Sequence, residues 1–244
     1  MATVKRRYFL RVMGGAAATA GGLAIGWSFL PPRQRLMPGT PLPVTPGQVA
    51  LNGWVKVSDD DTVTVVMTQA ELGQGIHTSL AMLLADEMDA AWDRVKLEQS
   101  TLDKIYNNQA EIADGLPFPS GGRSRKLAQW MARKIIREIP GLMGTGGSSS
   151  VTDLWMPMRE AGASARAALI AAAAENWKVP AAECTAESGR VLHSSGKNAS
   201  FGELAVQAAK LGVPKNVKLK DPAQFRLIGK PIRRMDNEIG RAHV

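Results

Sequence analysis

Two stretches of this 244-residue chain hold residue types whose spacing suits the binding of a ligand. In Glu71-Leu72-Gly73-Gln74-Gly75-Ile76-His77-Thr78, Gly73 and Gly75 let the backbone come close to a bound group. Gln74 between them offers an amide donor and a carbonyl acceptor, which can address an oxo or hydroxo group without carrying charge. In Gly144-Thr145-Gly146-Gly147-Ser148-Ser149-Ser150, consecutive backbone N–H groups and three serine hydroxyls stand ahead of a long helical pattern. There they meet the positive end of a helix dipole and suit phosphate or a polar heterocycle. Taken singly, each has a plain alternative, a tight turn for the first and a Gly-Ser linker for the second. Neither fits the phosphate loop, which requires Gly-Lys-Ser/Thr, or G-x-G-x-x-G after a strand.

The remaining reactive side chains are few. A single cysteine, Cys184, excludes an internal disulfide and any cluster ligated by cysteines of this chain alone. It reads as a small buried hydrophobe. His77, His193 and His243 have no metal-ligand spacing, so no protein-ligated metal is expected. His77 reads as a packing or helix-start residue, and the sequence suggests no Ser-His-acid constellation.

The elements that must position these loops follow from periodicity. Residues 51–58 and 62–68 are β-branched runs joined by Asp59-Asp60-Asp61 and predict a strand pair. Leu80, Leu83, Leu84 and Met88 predict a helix over 77–91, and residues 95–99 a strand, so the first loop lies between strand and helix. Residues 101–124 carry no period and read as an irregular excursion. A basic amphipathic helix follows over 125–139, with Leu127, Trp130, Met131, Ile135 and Ile139 on one face. It is expected to dock by that apolar face with its charges solvated, a membrane surface being the alternative.

The second loop opens an Ala-rich helix over 151–177, whose small residues from Ala161 to Ala168 invite close approach of another backbone. A hairpin through Ser188-Gly189 and a capping box at Ser200 and Glu203 complete the pattern. The whole predicts an α/β fold (α+β) with mixed sheets and packed helices. The domain boundaries read as a signal over 1–30, a Pro-rich linker over 31–48, a cofactor domain over 49–212, a connector over 213–237 and a non-native tail over 238–244.

At the N-terminus, Lys5-Arg6-Arg7-Tyr8-Phe9-Leu10-Arg11 precedes a Gly- and Ala-rich apolar stretch over 12–30. This is the order of a twin-arginine export signal, which places the protein on the periplasmic side of a bacterial inner membrane. Whether the segment is cleaved or kept as a membrane anchor stays open. Six of the net eight positive charges lie on residues 5–35, so the rest of the chain is nearly balanced and nucleic acid is not the expected partner. Forty-five per cent hydrophobic residues suffice for a core.

Ala70 to Thr78, Asp86-Glu87-Met88, Trp92-Asp93-Arg94-Val95, Thr145 to Ser150 and Leu227-Ile228-Gly229-Lys230-Pro231, in this order, resemble the N-terminal third of isoquinoline 1-oxidoreductase beta subunits. These belong to the xanthine dehydrogenase and aldehyde oxidase family of molybdenum hydroxylases, and the resemblance covers roughly residues 1–237. It implies a molybdopterin cofactor in the cytosine dinucleotide form, a separate small [2Fe-2S] subunit, export by the twin-arginine translocation machinery, and hydroxylation of a small N-heteroaromatic or aldehyde substrate with water as oxygen source. By carry-over, Gln74 would approach the metal's oxo ligand, with Gly73 and Gly75 shaping its turn. Gly146, Gly147, Ser148 and Ser149 would contact the pterin or its dinucleotide tail. The general-base glutamate of the family has no counterpart here and is expected beyond Val244. Residues 238–244 depart from the pattern, which suggests a truncated gene model whose product is inactive alone. The competing expectation is a membrane-tethered pterin- or nucleotide-binding assembly module without turnover.

Overall fold

The computed structural model describes residues 34–117, 119, 122–139 and 141–236. The export signal, residues 31–33 of the Pro-rich stretch and the 238–244 tail lie outside the described residues.

The chain enters a four-stranded sheet in the order β1 (Gln48–Asn52), β2 (Val55–Ser58), β3 (Val63–Met67), β4 (Val95–Gln99). The run over 51–58, expected as one strand, is divided between β1 and β2. Asn52-Gly53 turns the chain, with the Asn52 side-chain oxygen accepting from Trp54 N at 2.9 Å. The first three strands are antiparallel, and β3 pairs in parallel with β4. A parallel pair needs a crossover, which here is α1 (Ile76–Met88). The strand, glycine turn, helix, strand unit is therefore present as expected.

Helix α2 (Gln109–Asp114) lies within the stretch expected to be irregular, and α3 (Arg123–Ile136) follows it. The long helix α4 (Ser150–Trp177) packs along α1. At Gly162 the two backbones are so close that a Cβ would stand 2.3 Å from Leu84 O. The small-residue stripe thus serves the close approach it suggests. A second sheet, β5 (Cys184–Glu187), β6 (Arg190–His193) and β7 (Asn198–Ser200), is antiparallel throughout. Its first hairpin turns at Ser188 and Gly189, both left-handed, at φ 47° and 78°. Ser200 then caps α5 (Phe201–Leu211) in the expected capping box.

The core lies between the larger sheet and α1, α4 and α5, with Trp54, Val65, Leu84, Leu154, Met158 and Leu169 fully buried. The Pro-rich segment is not a spacer from Gln34 onward, because Leu36 and Leu42 join this core. Arg35 is buried there as well, donating to Ile105 O, Asn107 O and the Asp153 carboxylate. Three oxygen acceptors stabilise a guanidinium that would otherwise lose its hydration at large cost.

Candidate functional site

The loop between β3 and α1 is shaped by one carboxylate. Glu71 accepts from Gly73 N and Gly75 N at 2.9 Å and from His77 N at 3.1 Å, so it holds the turn and anchors the helix N-terminus together. Desolvation opposes its charge. The N–H groups of Gly75, His77 and Gly73 and the Arg234 guanidinium outweigh this and hold its carboxyl below the usual glutamate range. Arg234 also donates to Gly73 O at 2.7 Å. Gly73 and Gly75 have φ 96° and 79°, a region closed to most side chains, and nothing lies within 4 Å of where a Cβ would stand on either. They give the turn its shape and leave its outer side open. Gln74 is exposed, but its amide is folded onto its own loop, donating to Ala70 O at 2.9 Å and accepting from Leu72 N. His77 donates from Nε2 to Gln69 O at 2.9 Å, a helix-start role as expected.

The second loop meets the first through Gln69, whose side chain is fully buried. Its Oε1 accepts from the Thr145 hydroxyl at 3.2 Å and the Ser150 hydroxyl at 2.9 Å. Thr145 Oγ1 in turn accepts from Ala70 N at 2.9 Å. Within the loop Ser149 is buried, its hydroxyl donating to Gly146 O and accepting from Asn108 Nδ2 at 2.7 Å. Gly146 is packed against Glu111, whose Oε1 would lie 2.8 Å from an added Cβ. Gly147 and Ser148 are exposed, left-handed at φ 59° and 55°, and open space surrounds the missing Cβ of Gly147. Of the seven residues marked by sequence, Gly73, Gln74, Gly75, Gly147 and Ser148 face outward, while Gly146 and Ser149 build the loop from within. Gln69, Asn108 and Glu111 are the supporting residues that sequence reasoning missed.

A third arrangement joins two of the remaining motifs. The Asp86 carboxylate is enclosed, accepting from the backbone N–H groups of Arg226, Leu227 and Ile228 at 2.9 to 3.2 Å and lying 3.5 Å from Lys220 Nζ. Beside it Glu87 takes Arg159 Nε at 2.8 Å and Lys220 N at 3.0 Å. Residues 220–235, within the stretch expected as a connector, therefore lie along α1 as a strap. Met235 N donates to Thr78 Oγ1 at 3.0 Å, bringing the strap back to the first loop.

Elsewhere, Ser195, His193 and Glu183 do come together, at 2.8 and 3.1 Å, contrary to the expectation of no such constellation. His193 Nδ1 also accepts from Ser195 N at 3.2 Å, so its one lone pair serves the tight turn after β6 and is not reserved for activating the hydroxyl. Cys184 is buried, and burial followed by the Glu183 charge pushes its thiol up, the state of an unreactive cysteine. Among the described residues no group of three or more His, Cys, Asp or Glu is placed to hold a metal ion.

Comparison with known proteins bears on the first of these loops. A family model described as molybdopterin cofactor-binding domain matches residues 15–113, a span that includes the first loop. Over 158 residues the chain is 37% identical to isoquinoline 1-oxidoreductase subunit beta of Brevundimonas diminuta, a match covering 64% of this chain and 17% of that one. Over 234 residues it is 28% identical to membrane-bound aldehyde dehydrogenase [pyrroloquinoline-quinone] of Gluconacetobacter polyoxogenes, covering 93% of this chain and 25% of that one. Among solved structures, quinoline 2-oxidoreductase from Pseudomonas putida 86 aligns with a TM-score of 0.38 at 17% identity, over 67% of this chain and 17% of the other. The chain thus spans a quarter or less of the length of these curated relatives.

Proposed function

We propose that this chain, a homologue of the isoquinoline 1-oxidoreductase beta subunit, is the N-terminal, cofactor-holding part of a molybdenum hydroxylase large subunit. The whole enzyme would oxidise an N-heteroaromatic or aldehyde substrate with water as the oxygen source. The observation that carries this reading is the junction at Gln69, which brings the two glycine-rich loops side by side from positions 76 and 81 residues apart.

The residues fit a molybdopterin group. Gly73, Gly75 and Gly147 carry left-handed backbone with open space where a side chain would be, which is what close approach of a large flat ligand requires. In the second loop the exposed Gly147 and Ser148 would contact the pterin or its cytosine dinucleotide tail, while Gly146 and Ser149 fix the loop from inside. When bound, the group supplies the two-electron redox chemistry. Gln74 would reach it by giving up its bonds to Ala70 O and Leu72 N, while Glu71 and Arg234 would keep the turn in place. Electrons would leave through [2Fe-2S] clusters on a separate small subunit. Export by the twin-arginine route, which carries folded proteins, would deliver the loaded enzyme to the periplasmic side of the inner membrane, with the N-terminal segment available as an anchor.

The test is to express the complete open reading frame together with the small subunit, then measure bound molybdenum and pterin and the hydroxylation of N-heterocycles and aldehydes. Stoichiometric cofactor with turnover is expected. Cofactor without turnover would instead favour the binding or assembly module, and a product free of cofactor would remove the proposal.

A further inference from the structure

Helix α3 is amphipathic, and it is mounted the opposite way round from a docked helix. Its attachments come from its polar side. Arg125 donates to the carbonyls of Asp114 and Leu116, Gln129 and Arg133 reach the Asp114 carboxylate at 3.2 Å, and Asn107 donates to Ile136 O and Ile139 O. Ile136 is the one residue of the helix that is buried. The apolar row at four-residue spacing, Leu127, Met131 and Ile135, is 58%, 49% and 53% exposed, and Ile139 continues it at 43%. The adjacent row is Lys126, Trp130 and Lys134, with Lys134 Nζ 4.3 Å from the Trp130 ring centroid. Arg123 is exposed beside them, and no acidic residue occurs within the helix.

We infer that this face lies on an anionic lipid surface, with Leu127, Met131, Ile135 and Trp130 at the headgroup boundary and Arg123 and Lys126 against the lipid phosphates. An exposed apolar row bordered by cations, with tryptophan between them, is what an interfacial helix requires. A second copy of the chain is a poor occupant. A two-fold contact through this face would bring the Arg123 and Lys126 cations of both copies into one interface with no acidic residue of the helix to pair them. Among the described residues no helix is long and apolar enough to cross a membrane, so the contact is one of lying on the surface.

The complete open reading frame carrying Met131→Cys, with Cys184 and any further cysteine changed to serine, and labelled with an environment-sensitive fluorophore, tests this. The label reports on the helix itself, whatever the N-terminal segment does. With vesicles of phosphatidylcholine plus an equal part of phosphatidylglycerol, the label should shift to the blue and be quenched by nitroxide lipids, and the response should fall as salt is added. Arg123→Gln with Lys126→Gln should raise the lipid concentration for half-maximal shift about thirtyfold, from about 1 kcal/mol per cation at an anionic surface. Leu127→Ser with Ile135→Ser should leave the label in water. The inference is overturned if the label responds equally to neutral vesicles or stays in water on bound vesicles. A label already shielded in buffer, as it would be beneath a protein partner, overturns it too.

Discussion

The hydroxyl of Ser150, the first residue of α4, donates to the side-chain oxygen of Gln69, eighty-one residues earlier, at 2.9 Å. One buried amide thereby sets the separation of the two glycine-rich loops. Gln69→Leu keeps the bulk but leaves the Thr145 and Ser150 hydroxyls without that acceptor, which should cost about 1–3 kcal/mol. Urea unfolding measures this, and limited proteolysis should cut faster between residues 144 and 148. An unchanged midpoint and unchanged cleavage would show that the loops do not depend on the junction.

Glu71 makes the first loop acid-sensitive. Its carboxyl is depressed below 4.5, so the stability it gives is fully present above that value and is lost as the pH falls through the lower native one. Hydrogen-exchange protection of the Gly73, Gly75 and His77 amides, corrected for intrinsic rates, should therefore be flat at neutral pH and drop on acidification. In Glu71→Gln it should be low at every pH. Equal protection in the variant at neutral pH would assign the turn to its glycines alone.

Gly162→Ala should destabilise the fold although alanine favours helix. The new methyl would stand 2.3 Å from Leu84 O and 3.0 Å from Glu87 Cβ, and a backbone carbonyl inside a helix cannot step aside. The helices must separate instead, at about 1–3 kcal/mol. Thermal unfolding should show the loss. A variant as stable as the parent would mean that α1 and α4 are free to slide.

Much of this was legible in the sequence because it rests on local rules. The apolar spacing of α1, the Ala-rich run of α4, the Ser188-Gly189 turn and the Ser200 cap each act within a few residues. Helix α2 escaped notice because it is six residues long, although Asn108 three residues before Glu111 was its cap signal. Periodicity correctly grouped Leu127, Met131 and Ile135, but the expectation that this apolar side docks is wrong, since it is the exposed one. Asp114 and Asn107, outside the helix, decide which side docks. For the site, the glycines and Gln74 were visible because their types are unusual in tandem. Gln69 and Glu71 were not, since a buried amide and a turn-holding carboxylate look in sequence like any polar residue.

The strap over α1 has a consequence for the order of assembly. Asp86 and its backbone donors are 140 to 142 residues apart in the chain. Closing so long a loop brings no return until α1, α4 and the second sheet are already in place. The strap is therefore expected to seat last, and its contacts at Glu71 and Thr78 then fasten the first loop to the end of the described chain.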